Sequence, residues 1–330
     1  MTTGRSCPPH YRYAPEALAQ PAQFSADCVY VVGGLYGNRP ALDAVLALAA
    51  REPQPAAVVF NGDFNWFNID REDFADINRR VLEHVALRGN VETELAGDDT
   101  TAGCGCAYPD FVGDAEVERS NRIIELLRDT AREFLALRQR LGALPMHATA
   151  QVGAMRIAIV HGDCESLAGW GLSQEALAAE YQRARVQRWF AQAQVRIIAS
   201  SHSCLPVMMD FETAQGACAV INNGAAGMPN FHATHYGVIT RIATLPAQQI
   251  QPLYATHIDN IYLEALPVDY DEGRWQRKFL ANWPAGSPAH ASYYRRITQG
   301  PAYDIGQAVR LQANRGNAER LNAVASGSIK

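Results

Sequence analysis

Short apolar runs rich in valine and isoleucine alternate along this chain with longer stretches whose apolar residues recur every three or four positions. The first pattern belongs to buried strands, the second to helices packed by one face. Cys28 to Val32 and Ala56 to Asp63 are runs of the first kind. Between them Pro40 opens a segment in which Leu42, Val45, Leu46 and Ala49 share one helical face, with the proline suited to a first turn. Strand, glycine-rich turn, helix and strand in this order predict a parallel βαβ unit.

Further along, Asp70 to Leu87 reads as a helix capped by Asp70, after which LRGNVETELAG enters a loop. Ala96 to Val112 is turn-rich and without period, and loops of that length inside a compact domain usually carry function. Glu116 to Leu141 reads as one amphipathic helix with Ile123, Ile124, Leu127 and Phe134 in its apolar stripe. Ala148 to Val152 and Met155 to Val160 form a hairpin about Gly153, followed by a helix over Gln174 to Ala193 and a strand over Val195 to Ser200. Val207 to Glu212, Ala217 to Asn222 and Tyr236 to Ala243 add strands expected to make an antiparallel meander. The fold class is α/β. Residues 1–27 read as an irregular arm, 28–268 as the main domain and 269–330 as a helical C-terminal extension anchored by Trp275, Phe279, Trp283, Tyr293 and Tyr294. Its last stretch, 325–330, is expected to fray.

Composition narrows the functional classes. With 48% hydrophobic residues in 330, the chain can bury a sizeable core. A net charge of -5 and a pI near 6.0 give no field that gathers nucleic acid or an anionic membrane, so any phosphate recognition must be local. No apolar run approaches the roughly 18 to 20 residues of a membrane span, and the first residues lack a signal-peptide core, so a cytoplasmic location is expected. Seven cysteines at irregular spacings read as buried or liganding thiols rather than a disulfide framework. A homo-oligomer is left open.

The chemistry lies at strand ends. AAVVFNGD finishes in Asp63, Asn90 follows LRG, His161 follows MRIAIV, His202 follows VRIIASS, and Asn222 and Asn223 follow CAVI. A carboxylate, an amide and two imidazoles at the carboxyl ends of strands suit a metal with oxygen and nitrogen ligands. Plain readings stand beside this one. A histidine after an apolar strand can be a hydrogen-bonded core residue, Asp63 can cap a helix, Asn38 with Gly37 can shape a turn, and Asn223 can cap one. Cys104-Gly-Cys106 lacks a second pair and matches no standard zinc or iron–sulfur spacing with Cys164 or Cys204, so ordinary buried residues are the simpler reading. The Gly33-Gly34-x-x-Gly37 run lacks the dinucleotide-loop spacing.

In chain order, GNRPALDAVLALA, VVFNGD, LRGNVE, IAIVHGD, ASSHSC and INNGAAG resemble the calcineurin-like metallophosphoesterases over roughly residues 28 to 245. The resemblance implies a β-sandwich of two mixed sheets flanked by helices, with metal at the strand tips. The family pattern is Asp-x-His, Gly-Asp, Gly-Asn-His, a lone His before Gly, and Gly-His-x-His. This chain has Gly34-Leu35-Tyr36, Gly89-Asn90-Val91 and Ser201-His202-Ser203-Cys204 at three of these places. By the family's assignment, one ion loses its ligands at Gly34, Tyr36 and Cys204, while the other keeps Asp63, Asn90, His161 and His202. The expectation is one divalent transition metal: Mn, Fe or Zn. A second metal, held by Tyr36 as phenolate and Cys204 as thiolate beside Asp63, is less favoured because Gly34 leaves it short of negative charge. Gly37, Asn38 and Asn223 correspond to positions facing the phosphate. Val91 replaces the histidine associated with protonating the leaving group, and Glu92, Asp163, His232 or His235 are its candidate substitutes. The implied activity is hydrolysis of a phosphate mono- or diester in a small substrate by metal-activated water, reduced or narrow in scope. The alternative is a non-catalytic member that binds a nucleotide or a partner in the same cleft.

Overall fold

The computed structural model of the chain describes residues 3–311; the stretch expected to fray, 325–330, lies outside them. The first half runs β1 (Phe24–Ala26), β2 (Cys28–Val32), α1 (Arg39–Ala50), β3 (Ala56–Asn61), α2 (Arg71–Val81), β4 (Val85–Leu87), α3 (Asn90–Ala96), α4 (Asp114–Arg132) and α5 (Leu135–Ala143). It continues through β5 (His147–Val152), β6 (Met155–Val160), α6 (Glu180–Ala193), β7 (Ile197–Ser200), β8 (Val207–Thr213), β9 (Gly216–Asn222) and β10 (Gly237–Ala243). The last part contains β11 (Tyr254–Ile258), β12 (Ile261–Val268), α7 (Glu272–Asn282), α8 (Pro288–Gln299), α9 (Ile305–Ala308) and β13 (Val309–Arg310).

Two mixed sheets stack face to face, one in the order β1-β5-β6-β7-β9-β8-β13 and the other β11-β12-β10-β2-β3-β4. The period of two along each central strand builds three apolar layers. In β2, Val29 and Val31 enter the core between the sheets with Ile157, Ile159 and Ile221. Tyr30 and Val32, on its other face, join the layer under Leu42, Phe74 and Ile124 of the helices. Ala158 and Val160 of β6 look outward onto Val186, Trp189 and Phe190 of α6. Burial on both faces explains why these strands read as unbroken apolar runs.

Several elements differ from the sequence pattern. The helix expected over Asp70 to Leu87 ends at Val81, and Val85–Leu87 is a strand paired in parallel with β3; a short apolar run fits either element. The loop expected over LRGNVETELAG contains α3. The single helix of 116–141 is two, because Phe134 leaves helical geometry (φ -120°, ψ 63°) and its ring lies 5.3 Å from that of Phe74. The meander holds only for the antiparallel β8–β9 pair: β9 runs parallel to β7, and β10 lies in the other sheet, antiparallel to β2 and β12. The β11–β12 hairpin was without an element in the sequence pattern. The amino-terminal arm is less irregular than its composition suggests, since β1 pairs with β5 and both Tyr11 and Leu18 are fully buried. The carboxy-terminal helices dock on the sandwich, where Trp283 donates its indole N–H to the Phe67 carbonyl at 2.9 Å. Among the described residues no helix is long and apolar enough to cross a membrane.

Candidate metal centre

Parallel pairing brings strand ends together. β3 and β4 lie side by side in one sheet and β6 and β7 in the other. Their carboxyl-end loops present Asp63 and Asn90 from the first pair and His161 and His202 from the second. The loops approach closely. A Cβ on Gly62 would stand 2.6 Å from both the Gly89 nitrogen and His161 Nδ1, and one on Gly89 would stand 2.2 Å from Asp63 Oδ1. Asp63 itself sits in the left-handed region at φ 54°, a strained setting that the surroundings must hold. Glu92 supplies that hold: its carboxylate accepts the backbone N–H groups of Asp63 (2.7 Å), Gly89 (3.0 Å) and Asn65 (3.2 Å).

The donor atoms converge. His161 Nε2 is 3.4 Å from Asp63 Oδ1, 3.2 Å from Asn90 Oδ1 and 3.1 Å from His202 Nδ1. Ligands at about 2.0 to 2.2 Å from one ion lie roughly 3.0 to 3.5 Å apart in octahedral or tetrahedral arrangement. Hydrogen bonds on the far side fix which atom of each group points inward. His161 Nδ1 meets the Asn61 carbonyl at 2.8 Å, and His202 Nε2 meets the Cys106 carbonyl at 3.0 Å. A carbonyl only accepts, so both rings donate there and turn unprotonated nitrogens toward each other. Asn90 donates Nδ2 to the Cys104 carbonyl at 2.9 Å, which turns its Oδ1 inward. Two imidazole lone pairs, an amide oxygen and a carboxylate facing one buried point repel one another unless a metal ion or a proton lies among them. The donor set therefore fits a divalent transition metal. Among the described residues, Asp63, His161 and His202 are the His, Cys, Asp or Glu group close enough to share an ion.

Electrostatics agree with the geometry. Burial raises the Asp63 carboxyl, but the His161 and His202 imidazoles outweigh it and hold the group below its ordinary range. For His202, burial and the neighbouring His161 push the pKa down to about 4, which keeps the ring neutral as a ligand must be. Burial disfavours the charged form of His161 too, yet the Asp63 carboxylate raises its pKa.

At the positions where the family pattern has its other ligands, Gly34, Tyr36 and Cys204 pack together. A Cβ on Gly34 would come 2.9 Å from Tyr36 Cζ and 3.0 Å from its hydroxyl, so the tyrosine ring stands where a side chain at position 34 would reach. Tyr36 Oη lies 2.7 Å from Cys204 Sγ, which lies 3.2 Å from the His202 carbonyl. Burial raises both the phenol and the thiol, and the two form a neutral hydrogen-bonded pair.

The remaining candidates take other roles. Asn38 is fully buried, accepts the Ala41 N–H at 3.0 Å as the cap of α1, donates to the Gly227 carbonyl at 2.9 Å and does not line the cleft. Gly37 takes φ 69° in the same turn. Asn223 donates to the Gly33 and Val238 carbonyls at 3.0 and 2.9 Å and so ties the two sheets together. None of the four candidate acids reaches the cleft with a free proton site. Glu92 is bound by backbone amides, and burial beside Asp63 pushes its pKa up to about 7. Asp163 accepts the N–H groups of Glu165, Ser166 and Gly171 within its own loop. His232 is exposed, and His235 faces Glu272 at 3.1 Å on the surface.

Cys104 and Cys106 are joined in a disulfide, contrary to the expectation of ordinary buried thiols, because Gly105 at φ 66° turns the chain back between them. Their loop, whose lack of period was its only signal, matters more through its carbonyls, which orient Asn90 and His202. Trp170 also donates to the Cys106 carbonyl, at 2.9 Å. Above the donors opens a small cleft whose walls include Tyr36, Trp66, Val91, Tyr108, Trp170 and Tyr293.

Fold and site define an α/β sandwich that presents a metal-binding donor set at its strand tips. The chain belongs to the calcineurin-like phosphoesterase family, whose pattern matches residues 28–227. Members of this family are hydrolases that use divalent metals. Among solved structures it is similar to a metallophosphoesterase from Sphaerobacter thermophilus, with a TM-score of 0.52 and 14% identity over 83% of this chain and 100% of that one. A hypothetical protein from Pyrococcus horikoshii OT3 gives the same TM-score of 0.52 at 16% identity, covering 83% of this chain and 100% of its own. At such identities the likeness is one of fold. No curated protein sequence matches the chain.

Proposed function

We propose that this chain is a phosphoesterase working with one divalent transition metal, Mn, Fe or Zn, held by Asp63, Asn90, His161 and His202. The observation that carries the reading is the convergence of the two imidazole lone pairs, 3.1 Å apart, on the carboxylate and amide oxygens. When bound, such an ion lowers the pKa of a coordinated water and neutralises charge on phosphoryl oxygens. The protein's own residues do the rest. The Asn61 and Cys106 carbonyls hold the rings in their ligand tautomers, Glu92 fixes the loop that carries Asp63, and the aromatic walls limit bulk water. Gly34, Tyr36 and Cys204 support a single ion, since the tyrosine ring and its thiol partner fill the neighbouring position.

A panel of phosphomonoesters and phosphodiesters with Mn²⁺, run beside an Asp63→Asn variant, tests the reading. Metal-dependent turnover that the variant loses is the expected result. The apolar Val91, where the family has its histidine, favours a second reading in which the cleft binds a phosphate compound without turnover. No hydrolysis, together with ligand-dependent thermal stabilisation, would select that reading.

A further inference from the structure

The walls of the cleft say what kind of phosphate compound fits it. Apart from the ligand groups, the lining offers the rings of Trp66, Tyr108, Trp170 and Tyr293 with Val91 between them, and it contains neither lysine nor arginine. The rings are set against one another: Tyr108 and Trp170 at 5.9 Å, Trp66 and Tyr293 at 6.5 Å edge to face. Trp170 stands edge-on to the ligand His202 at 5.3 Å, so the aromatic surface begins beside the donor atoms. At the rim Phe111, 62% exposed, lies edge-on to Trp170 at 6.2 Å and carries that surface outward. Such walls give no cation to a second phosphate, whereas a flat ring stacks on them.

The missing acid points the same way. Val91 lines the cleft, and Glu92, Asp163, His232 and His235 have no free group directed into it. With none of these four groups offering a proton, the cleft favours a leaving group that is already a weak base. A phenol ionises near pKa about 10. An aliphatic alkoxide is closer in basicity to the conjugate base of water, whose pKa is about 15.7.

We propose that the cleft takes a phosphate ester of a phenol, its ring held against the Tyr108, Trp170 and Tyr293 rings and its phosphate directed to Asp63, Asn90, His161 and His202. The assignment rests on the phosphoesterase reading above. In the step, the oxygen of a water molecule forms a bond to phosphorus and the bond from phosphorus to the aryl oxygen breaks. The electron pair leaves on the phenolate oxygen, which takes a proton from solvent as the attacking water gives one up.

The test is calorimetric titration of the Mn²⁺-loaded full chain with phenylphosphonate and with methylphosphonate, neither of which can be hydrolysed. Phenylphosphonate is expected to bind at least about tenfold more tightly, with the ratio falling towards one in Tyr293→Leu and Tyr108→Leu. Equal affinity for the two, or binding of neither, overturns the assignment. Turnover separates this inference from the reading beneath it. If the phenyl preference holds but 4-nitrophenyl phosphate is not hydrolysed, the aromatic site stands and the hydrolase reading falls. Hydrolysis of glycerol phosphate as fast as 4-nitrophenyl phosphate overturns the aromatic assignment and leaves the hydrolase reading in place.

Discussion

At the scale of single residues, Gly34, Tyr36 and Cys204 act together: the glycine makes room for a ring, and the thiol accepts the ring's hydroxyl. Restoring one family residue alone leaves the tyrosine in place, so Gly34→Asp is expected to clash with the ring and bind no additional metal. Changing Gly34→Asp, Tyr36→His and Cys204→His together is expected to raise the metal content by one equivalent, read by elemental analysis. Asp63→Asn is expected to weaken binding of the proposed ion by about 100-fold, since it removes the one carboxylate of the proposed set; titration with Mn²⁺ followed by calorimetry checks this. Asp63, His161 and His202 were legible as candidates because each follows a strongly patterned strand, whereas Asn90 stood out only through the family pattern, its strand β4 being too short to tell from the end of a helix. The roles of Asn38, Asn223 and Asp163 were not legible, because an amide or carboxylate in a turn is used up by backbone groups that only the folded chain brings near. Glu92 shows the same limit, being a neighbour of the site in sequence whose oxygens face backbone N–H groups.

At the scale of elements, the segment 90–106 does what no periodicity announced. α3 begins at Asn90, and the loop after it returns to orient Asn90 and His202 through two carbonyls. Arg128 of α4 ties these parts together. It is buried with Glu94, which it pairs directly, and it also donates to the carbonyls of Glu94, Asp99 and Gly103 at 3.0, 3.3 and 3.2 Å. Replacing it by methionine leaves the buried Glu94 carboxylate with only the Tyr11 hydroxyl, at 2.6 Å, and takes the side-chain donor from the Glu94 and Gly103 carbonyls. Arg128→Met is expected to lose about 3 to 5 kcal/mol of stability in denaturant unfolding. Arg128→Met with Glu94→Gln should recover part of that loss, since no charge is then left without a partner. Strand β4 and helix α3 were missed for a common reason: each is short, and a few apolar residues satisfy either period.

At the scale of the molecule, the centre joins the two sheets, with Asp63 and Asn90 delivered by one and His161 and His202 by the other. The class and the parallel units could be read from the sequence, whereas the assignment of strands to sheets could not, since β10 has the same apolar pattern in either sheet. Because both sheets supply ligands, a bound ion holds them together and should count as folding energy. Mn²⁺ at about 100 times its dissociation constant is expected to add about 2.7 kcal/mol to the stability of the metal-stripped chain, seen as a rise in Tm that Asp63→Asn lacks. The number of ions and their place decide between one proposed metal and two. Anomalous scattering from crystals of the metal-loaded chain measures both: the expected result is one peak per chain within bonding distance of Asp63, Asn90, His161 and His202. Two peaks, or one beside Tyr36 and Cys204, would contradict it.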